Sequence, residues 1–402
     1  MGNNIPKTVI CKCLNLLDIG DFRSIFMDHR TRKLTTGKAI QIFVESQLAQ
    51  RSSYEEIAEH LRITPELQDE NLKSISASQL SRKLKKLPTS LLQKLFLFNV
   101  SRIQEKTKGK KGIPELGTLR IIDATVLSLP SIAGRWAYWS KEKNAVKMHT
   151  QLVVAEPKTV YPGKIIASTA AVNDHEVAMD LVVADDAIHV VDRGYISYSM
   201  YHQWIQNNVL FVARIQAKNK TEIIRQRPIP EGSHLTLDAD VWVRYKEAQG
   251  QTQEIELRLV EYLDEKGRPY RLLTNVWDRT AEQISEIYRH RWLIELFFKW
   301  MKQHLRLVKL YSADATAIWN QMYIALIAYS LLLLLKLELQ TNHSLWELLR
   351  FVVLYMDQPW DVFMAALFRK AERPSKGRRR KGHPGRPRKH PPKLTSVRII
   401  VE

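Results

Sequence analysis

Three acidic residues occupy places from which carboxylates can meet. Asp123 follows the apolar run Leu119 to Ile122, Asp192 follows Ile188 to Val191, and Glu295 lies in a long segment, Glu282 to Lys309, that contains neither Pro nor Gly. Metal-assisted cleavage of a phosphodiester needs about three carboxylates converging on a pair of Mg²⁺ ions, which make an attacking water more acidic and stabilise both in-line oxygens. Burying either aspartate without a neighbouring cation would be costly. Taken singly, each aspartate also suits a cap or turn before a loop. It is the combination with the third segment that points to chemistry.

That segment is expected to be one helix. Tyr288, Arg291, Glu295 and Lys302 follow one another at intervals of three, four and seven residues. At about 100° per residue they fall within about 60° of one another. An ordinary wet face also mixes charges, and Arg291 with Glu295 is a common i,i+4 pair. Here Trp292, Leu296, Phe297 and Trp300 make much of the remaining circumference apolar. A polar stripe on such a helix fits a cleft better than open solvent.

The elements needed to hold these groups can be traced along the chain. Residues up to about Asn99 have the three-and-four spacing of amphipathic helices, as in Ala39, Phe43, Val44, Leu48 and Ile57, Leu61. Ser53 with Glu56 has capping-box spacing. Ser76 to Leu80 leads into Arg82, Lys83, Lys85 and Lys86, which suits either a helix-turn-helix recognition helix or the basic wet face of a bundle. After a basic linker, Lys106 to Lys111, short β-branched runs at Leu119 to Ile122, Gln151 to Ala155 and Lys164 to Ser168 predict an antiparallel meander. Helices at Asp174 to Val183 and Tyr198 to Gln206 then alternate with buried strands at Ile188 to Val191 and Leu210 to Ala213, giving a mixed α/β sheet. From about Arg214 to Asp278 the pattern is β again, as an inserted subdomain would be. Met322 to Leu335 is apolar but shorter than the roughly 20 residues of a bilayer span, and it is expected to be a buried core helix.

The chain carries 61 Lys and Arg against 42 Asp and Glu, a net charge of +19, so a polyanion is its expected partner, nucleic acid first; a solvated basic surface or an anionic-membrane binder is the plainer alternative. Arg369 to Lys393 holds twelve Lys or Arg and one Glu, contributing 12 − 1 = +11 of that charge, as a disordered tail would. Within it, Pro384-Gly385-Arg386-Pro387-Arg388-Lys389 has the form of an AT-hook core, with Arg386 and Arg388 set for a narrow minor groove; a generic phosphate-binding tail is the plainer account. Two cysteines, Cys11 and Cys13, are too few for a disulfide framework or a closed zinc site, so a reducing compartment is expected. No segment near Met1 has signal-peptide character, and a cytoplasmic location without membrane association is expected.

The spacing Y-x₂-R-x₃-E-x₆-K formed by Tyr288, Arg291, Glu295 and Lys302 resembles the signature of the insertion-sequence DDE transposases of the IS-four type. Asp123-Ala124-Thr125 with Leu127 and Pro130, and Asp192-Arg193-Gly194-Tyr195, resemble the blocks around that family's first and second aspartates. The resemblance runs from about Leu119 to Lys309 and implies an RNase H-like catalytic domain. The expected layout is an all-α DNA-binding region over 1–105, the catalytic domain over 115–214 and 279–340, a β-rich insertion over 215–278, a helical segment over 341–368 and a basic tail over 369–402.

The same resemblance implies that Asp123, Asp192 and Glu295 hold two Mg²⁺ ions, with Mn²⁺ as a substitute, and that Tyr288, Arg291 and Lys302 contact phosphates near the transposon end. Tyr270, just before Arg271-Leu272-Leu273-Thr274, stands where family members stack an aromatic ring, usually Trp, on a flipped base. A strand aromatic packing within the insertion is the alternative for Tyr270. Lys147, His149, His175 and Glu176 are explained as well by caps and surface positions. The implied activity is cut-and-paste transposition: binding of terminal inverted repeats, pairing of two ends by a homodimer, Mg²⁺-dependent cleavage, and attack of the freed 3′-OH on target DNA. The alternatives are another RNase H-like nuclease or resolvase, and a non-catalytic DNA-binding regulator. The enzyme readings require metal-dependent nicking, and the transposase also requires inverted repeats beside its coding region.

Overall fold

The structure, a computed structural model, describes residues 8–19, 28–29, 31, 33–63, 70–129, 134–140, 143–247, 249–307 and 309–369. Pro130 and the basic tail beyond Arg369, with Arg386 and Arg388, lie outside them.

Six helices come first: α1 (Val9–Asn15), α2 (Thr36–Leu48), α3 (Tyr54–Ile63), α4 (Glu70–Lys73), α5 (Ala77–Lys86) and α6 (Thr89–Lys106). Helix α5 starts on a complete capping box, Ser76 with Gln79. At α3 the Ser53 hydroxyl accepts from Glu56 N at 3.1 Å, but the Glu56 carboxylate turns to Ser52 instead of closing the box expected with Ser53.

The sheet is built from β1 (Leu119–Leu129), β2 (Tyr138–Ser140), β3 (Lys143–Glu156), β4 (Thr159–Thr169), β5 (Ile188–Val191), β6 (Phe211–Arg214), β7 (Glu222–Gln226), β8 (Leu235–Lys246), β9 (Thr252–Leu263) and β10 (Pro269–Thr274). Helix α7 (Asp174–Leu181) precedes β5 and α8 (Tyr198–Gln206) precedes β6. Strand β3 is antiparallel to both β1 and β4, while β5 lies parallel to β1 and β6 parallel to β5. This order, with apolar cores on both faces, is the RNase H-like arrangement.

The β-rich insertion does not stand apart as a separate sheet. Strand β10 pairs with β6, and β9, β8 and β7 follow in turn, so one ten-stranded sheet runs through both. The unpaired edge of β6 offered backbone donors and acceptors, and β10 satisfies them.

After the sheet come α9 (Ala281–Arg289), α10 (Trp292–His304), α11 (Ala315–Leu339), α12 (Leu345–Leu354) and α13 (Trp360–Leu367). Helix α11 is apolar enough to cross a membrane, yet its most apolar window is 78% buried in protein. Its few polar groups explain the placement. Asn320 donates to the carbonyls of Leu84 and Leu87 at 2.7 and 2.8 Å, satisfying the end of α5, and Ser330 accepts from Asn99 of α6 at 3.2 Å. The N-terminal helices therefore share one continuous apolar core with α10 and α11, which fixes them against the catalytic sheet.

Candidate active site

Asp123 does not end its strand, as its position after the run Leu119 to Ile122 suggested. It lies inside β1, which runs on to Leu129. What ends is the pairing with β5: the parallel register runs Leu119↔Ile188 to Ile122↔Val191 and stops there. Asp123 and Asp192 are the next residue on each strand, so their carboxylates emerge side by side where the two backbones part. The Asp123 Oδ1 accepts from Ala124 N at 2.8 Å.

The expected single helix over 282–309 is broken. Helix α9 ends at Arg289 and α10 begins at Trp292. Between them Arg291 N bonds Tyr288 O, Leu293 N bonds His290 O and Ile294 N bonds Arg291 O, all three residues apart. Such bonds wind the backbone more tightly than an α-helix, so the phase of the stripe changes at this point. The consequence favours convergence. Tyr288, at the end of α9, donates its hydroxyl to Asp192 Oδ1 at 2.8 Å. Arg291, at the junction, pairs with Glu295 of α10, and its Nη1 stands 3.6 Å from Asp123 Oδ2. Three of the four residues expected on one helix face, Tyr288, Arg291 and Glu295, thus join the two aspartates. The apolar remainder is only partly buried: Phe297 is, whereas Trp292 and Leu296 are exposed.

The fourth stripe residue behaves differently. Lys302 Nζ donates to the Val126 carbonyl at 3.2 Å, beyond the end of the β1–β5 pairing, and partial burial lowers its pKa. In this state it stitches α10 to β1 and does not face outward as a phosphate contact would.

The electrostatics match a crowded carboxylate site. Burial pushes the Asp123 carboxyl up to about 6; the Ala124 N–H and Arg291 oppose this, while Asp192 and Asp174 add to it. Burial also acts to raise Asp192, but the Arg193 N–H, Arg291, the Tyr288 hydroxyl and Arg214 together hold it below the usual carboxylate range. Arg291 is desolvated, which works against its charge, yet Glu295, Tyr288 and Asp192 keep its pKa above the ordinary value.

Several neighbours were not singled out in the sequence, or were set aside there. Asp174, at the start of α7, pairs with Lys147 Nζ at 3.1 Å and lies 3.6 Å from His149 Nδ1. Lys147 and His149 lie within β3, opposite Val126 and Ala124 of β1, so both belong to the rim of the site. Tyr195 is buried with its hydroxyl unpartnered among the described residues, and burial together with Asp123, Asp174 and Asp192 raises its pKa. Arg214, at the end of β6, lies over the Tyr270 ring at 4.0 Å. No sequence spacing links these residues; only the order of strands in the sheet does.

Tyr270 sits between expectations. Its ring stacks on Tyr262 with centroids 5.0 Å apart and planes at 14°, as a packed strand aromatic does. It is also half-buried and lines an open cleft of about 270 Å³ with Arg214, Tyr288, Arg289, Arg291 and Trp292. The lining of that cleft, aromatic and basic apart from Asp264 and Glu265, borders Asp192 through Tyr288.

Whether these residues suit divalent metal can be judged from the donor set. Carboxylate oxygens are the ligands that Mg²⁺ and Mn²⁺ prefer. Among the described residues no three His, Cys, Asp or Glu side chains close around one point, and the cation between Asp123 and Glu295 is the Arg291 guanidinium. Burial, with Asp192 and Asp174 nearby, raises the Asp123 carboxyl, and a bound cation would favour its charged form. The residues fit such ions, provided that Arg291 yields its position.

Comparison with known proteins agrees with this geometry. The family described as "Transposase DDE domain" matches residues 114–331, more than half of the chain. The "Probable transposase for insertion sequence element IS5377" of Geobacillus stearothermophilus is 28% identical over 274 residues, covering 67% of this chain and 70% of the relative. The "Putative transposase y4zB" of Sinorhizobium fredii is 31% identical over 235 residues, 58% of this chain and 64% of that protein. A Synechocystis protein named "Putative transposase for insertion sequence element IS4SA" is 24% identical over 293 residues, 70% of this chain and 78% of the relative. The matched region contains both aspartates and the α9–α10 junction, and this chain belongs to the insertion-sequence transposases with a DDE catalytic domain, enzymes that cleave and join DNA.

Proposed function

We propose that the chain carries out cut-and-paste transposition, with Asp123, Asp192 and Glu295 as the ligands of two Mg²⁺ ions, Mn²⁺ being able to replace them. The observation that carries this reading is the Arg291 guanidinium set between Asp123 and Glu295, with Asp192 emerging beside Asp123 where β1 and β5 part, from strand positions and a helix far apart in sequence. When bound, the two ions would acidify the attacking water and stabilise the attacking and leaving oxygens. The chain's own residues supply orientation. Tyr288 fixes the rotamer of Asp192 through its hydroxyl. Arg291, released from Glu295, has the planar donor set that grips a phosphate bidentately. Lys302 is close enough to Val126 of β1 to exchange that carbonyl for a phosphate oxygen. Tyr270, backed by Tyr262, would take a displaced base on its other face once Arg214 moves off the ring.

The DNA partners in this reading are the terminal inverted repeats of the element and then the target duplex, held by a homodimer that pairs two ends, in the bacterial cytoplasm and on the nucleoid. The nuclease or resolvase reading and the regulator reading have no observation specific to them. The decisive experiment incubates native element ends with the protein and Mg²⁺. Glu295→Gln should abolish cleavage and leave end binding largely intact. Full cleavage by that variant, or cleavage in EDTA, would sink the assignment.

A further inference from the structure

The arm before β3 carries exposed aromatic surface that the site described so far does not use. Arg135–Ala137 make a single 3₁₀ turn, and β2 pairs with the first residues of β3, Lys143 and Asn144. Tyr138 is 60% exposed, Trp139 44% and Trp136 38%. Arg135 and Lys143, on either side of them, are exposed too, and the sequence from 134 to 143 holds Arg135, Lys141 and Lys143 against one acid, Glu142. Apolar area collected in this way is uncommon on a surface that meets only water.

The arm is anchored. The Trp136 indole N–H donates to Ala313 O at 2.8 Å, and its ring meets Trp319 of α11 edge-on at 5.7 Å. A fixed Trp136 presents Tyr138 and Trp139 at low entropic cost, because their backbone is already ordered.

Register then relates the arm to the cleavage site. Tyr138 pairs with Asn144, and Asn144 with Leu129 of β1. Directly paired residues share a sheet face, and residues an even number apart on one strand do as well. Leu129 is six positions beyond Asp123, so Tyr138 lies on the face of the sheet to which Asp123 points. Six strand residues span about 20 Å, the rise of about six stacked base steps. Lys302, bonded at Val126, lies between them.

We infer that the Arg135–Ser140 arm is a second DNA contact, in which Tyr138 stacks on a base of the strand leaving the cleavage site while Arg135 and Lys143 neutralise its phosphates. This rests on the reading of Asp123 as part of that site. DNA is favoured over another protein surface because the rings lie in a stretch where three cations, Arg135, Lys141 and Lys143, outnumber the one acid, Glu142, which suits a polymer having a π-face and a phosphate at every step.

The test uses the full chain and a fluorescently labelled duplex carrying the native element end, together with the same duplex made single-stranded beyond the cleavage point. Tyr138→Ala should weaken binding about tenfold, most on the tailed DNA, and Tyr138→Phe should restore it. The slope of affinity against salt should stay at the wild-type value for Tyr138→Ala and fall by about one for Arg135→Ala, because only the cation releases counterions. Wild-type affinity in Tyr138→Ala, alongside normal cleavage by the wild type, overturns the arm alone. So does a variant that loses self-association while its DNA affinity is unchanged, which would make the arm a contact between copies. A wild type that neither holds nor cleaves the element ends removes the cleavage-site reading and the arm with it.

Discussion

Tyr288 and Asp192, 96 residues apart in the chain, are joined by one hydrogen bond of 2.8 Å from the phenol hydroxyl to Oδ1. The bond ties the end of α9 to the parting of β1 and β5, so the orientation of a candidate metal ligand depends on a residue that does not itself ligate. Loss of such a partner typically costs 10- to 100-fold in metal affinity or activity.

Tyr288→Phe should therefore keep the fold and the ring while raising the Mg²⁺ concentration needed for half-maximal cleavage by about tenfold or more. A titration of cleavage against Mg²⁺ at saturating DNA reads this directly. An unchanged midpoint would mean that Asp192 is held by something else.

Arg291 stands between Asp123 and Glu295, where it competes with any cation those carboxylates bind. Arg291→Ala should tighten Mn²⁺ binding in the absence of DNA, by about fivefold or more if one charged hydrogen bond is relieved. The same change should weaken binding of the element end. Metal binding by paramagnetic resonance and DNA binding by anisotropy should move in opposite directions; a fall in both would show that the guanidinium assists the metal.

His189 gives a stability prediction away from the carboxylates. It is fully buried, its Nδ1 bonded to Leu210 O at 3.1 Å and its Nε2 accepting from Val183 N at 3.2 Å. Burial, its largest influence, lowers its pKa from 6.5 to about 4. In that window the unfolded chain binds more protons than the folded one, so stability is fully present above pH 6.5 and is lost as pH falls toward 4. The loss should reach roughly 3 kcal/mol. His189→Gln, which can keep a donor and an acceptor, should flatten the acid limb of the urea midpoint against pH by that amount. An unaltered limb would assign acid sensitivity elsewhere.

Asp238 and Arg258 form a buried pair between β8 and β9, with two contacts of 2.8 Å, and Arg258 also donates to the Arg279 carbonyl just before α9. Asp238→Ala leaves that guanidinium buried without its carboxylate and should cost about 3–5 kcal/mol. Replacing both partners with apolar residues should cost much less. Urea unfolding of the single and double variants separates the two cases; equal losses would mean that the pair's geometry, not the unpaired charge, supplies the stability.

The sequence by itself determined the parts of this protein that are local. Ile188–Val191, three apolar residues and one buried histidine, form the predicted strand because no wet face interrupts them, and Tyr198–Gln206 form the predicted helix behind a Ser197 cap. The spacing of Tyr288, Arg291, Glu295 and Lys302 already marked the third part of the site, since a short interval on a helix is a statement about direction.

Tertiary structure decided what long-range pairing controls. Residues 119–122 contain nothing to announce that β1 continues past Asp123, because β3 supports it on one edge after β5 has stopped on the other. The break at His290–Arg291 carries no Pro or Gly; it is made where Tyr288 and Arg291 must reach two aspartates at once. Lys147, Asp174, Tyr195 and Arg214 join the site only through strand order, and the exposed face of Tyr138 acquires its relation to Asp123 only through register across three strands. Hydrophobic pattern specifies which face of an element is buried, while the neighbour it is buried against depends on contacts between residues far apart in the chain.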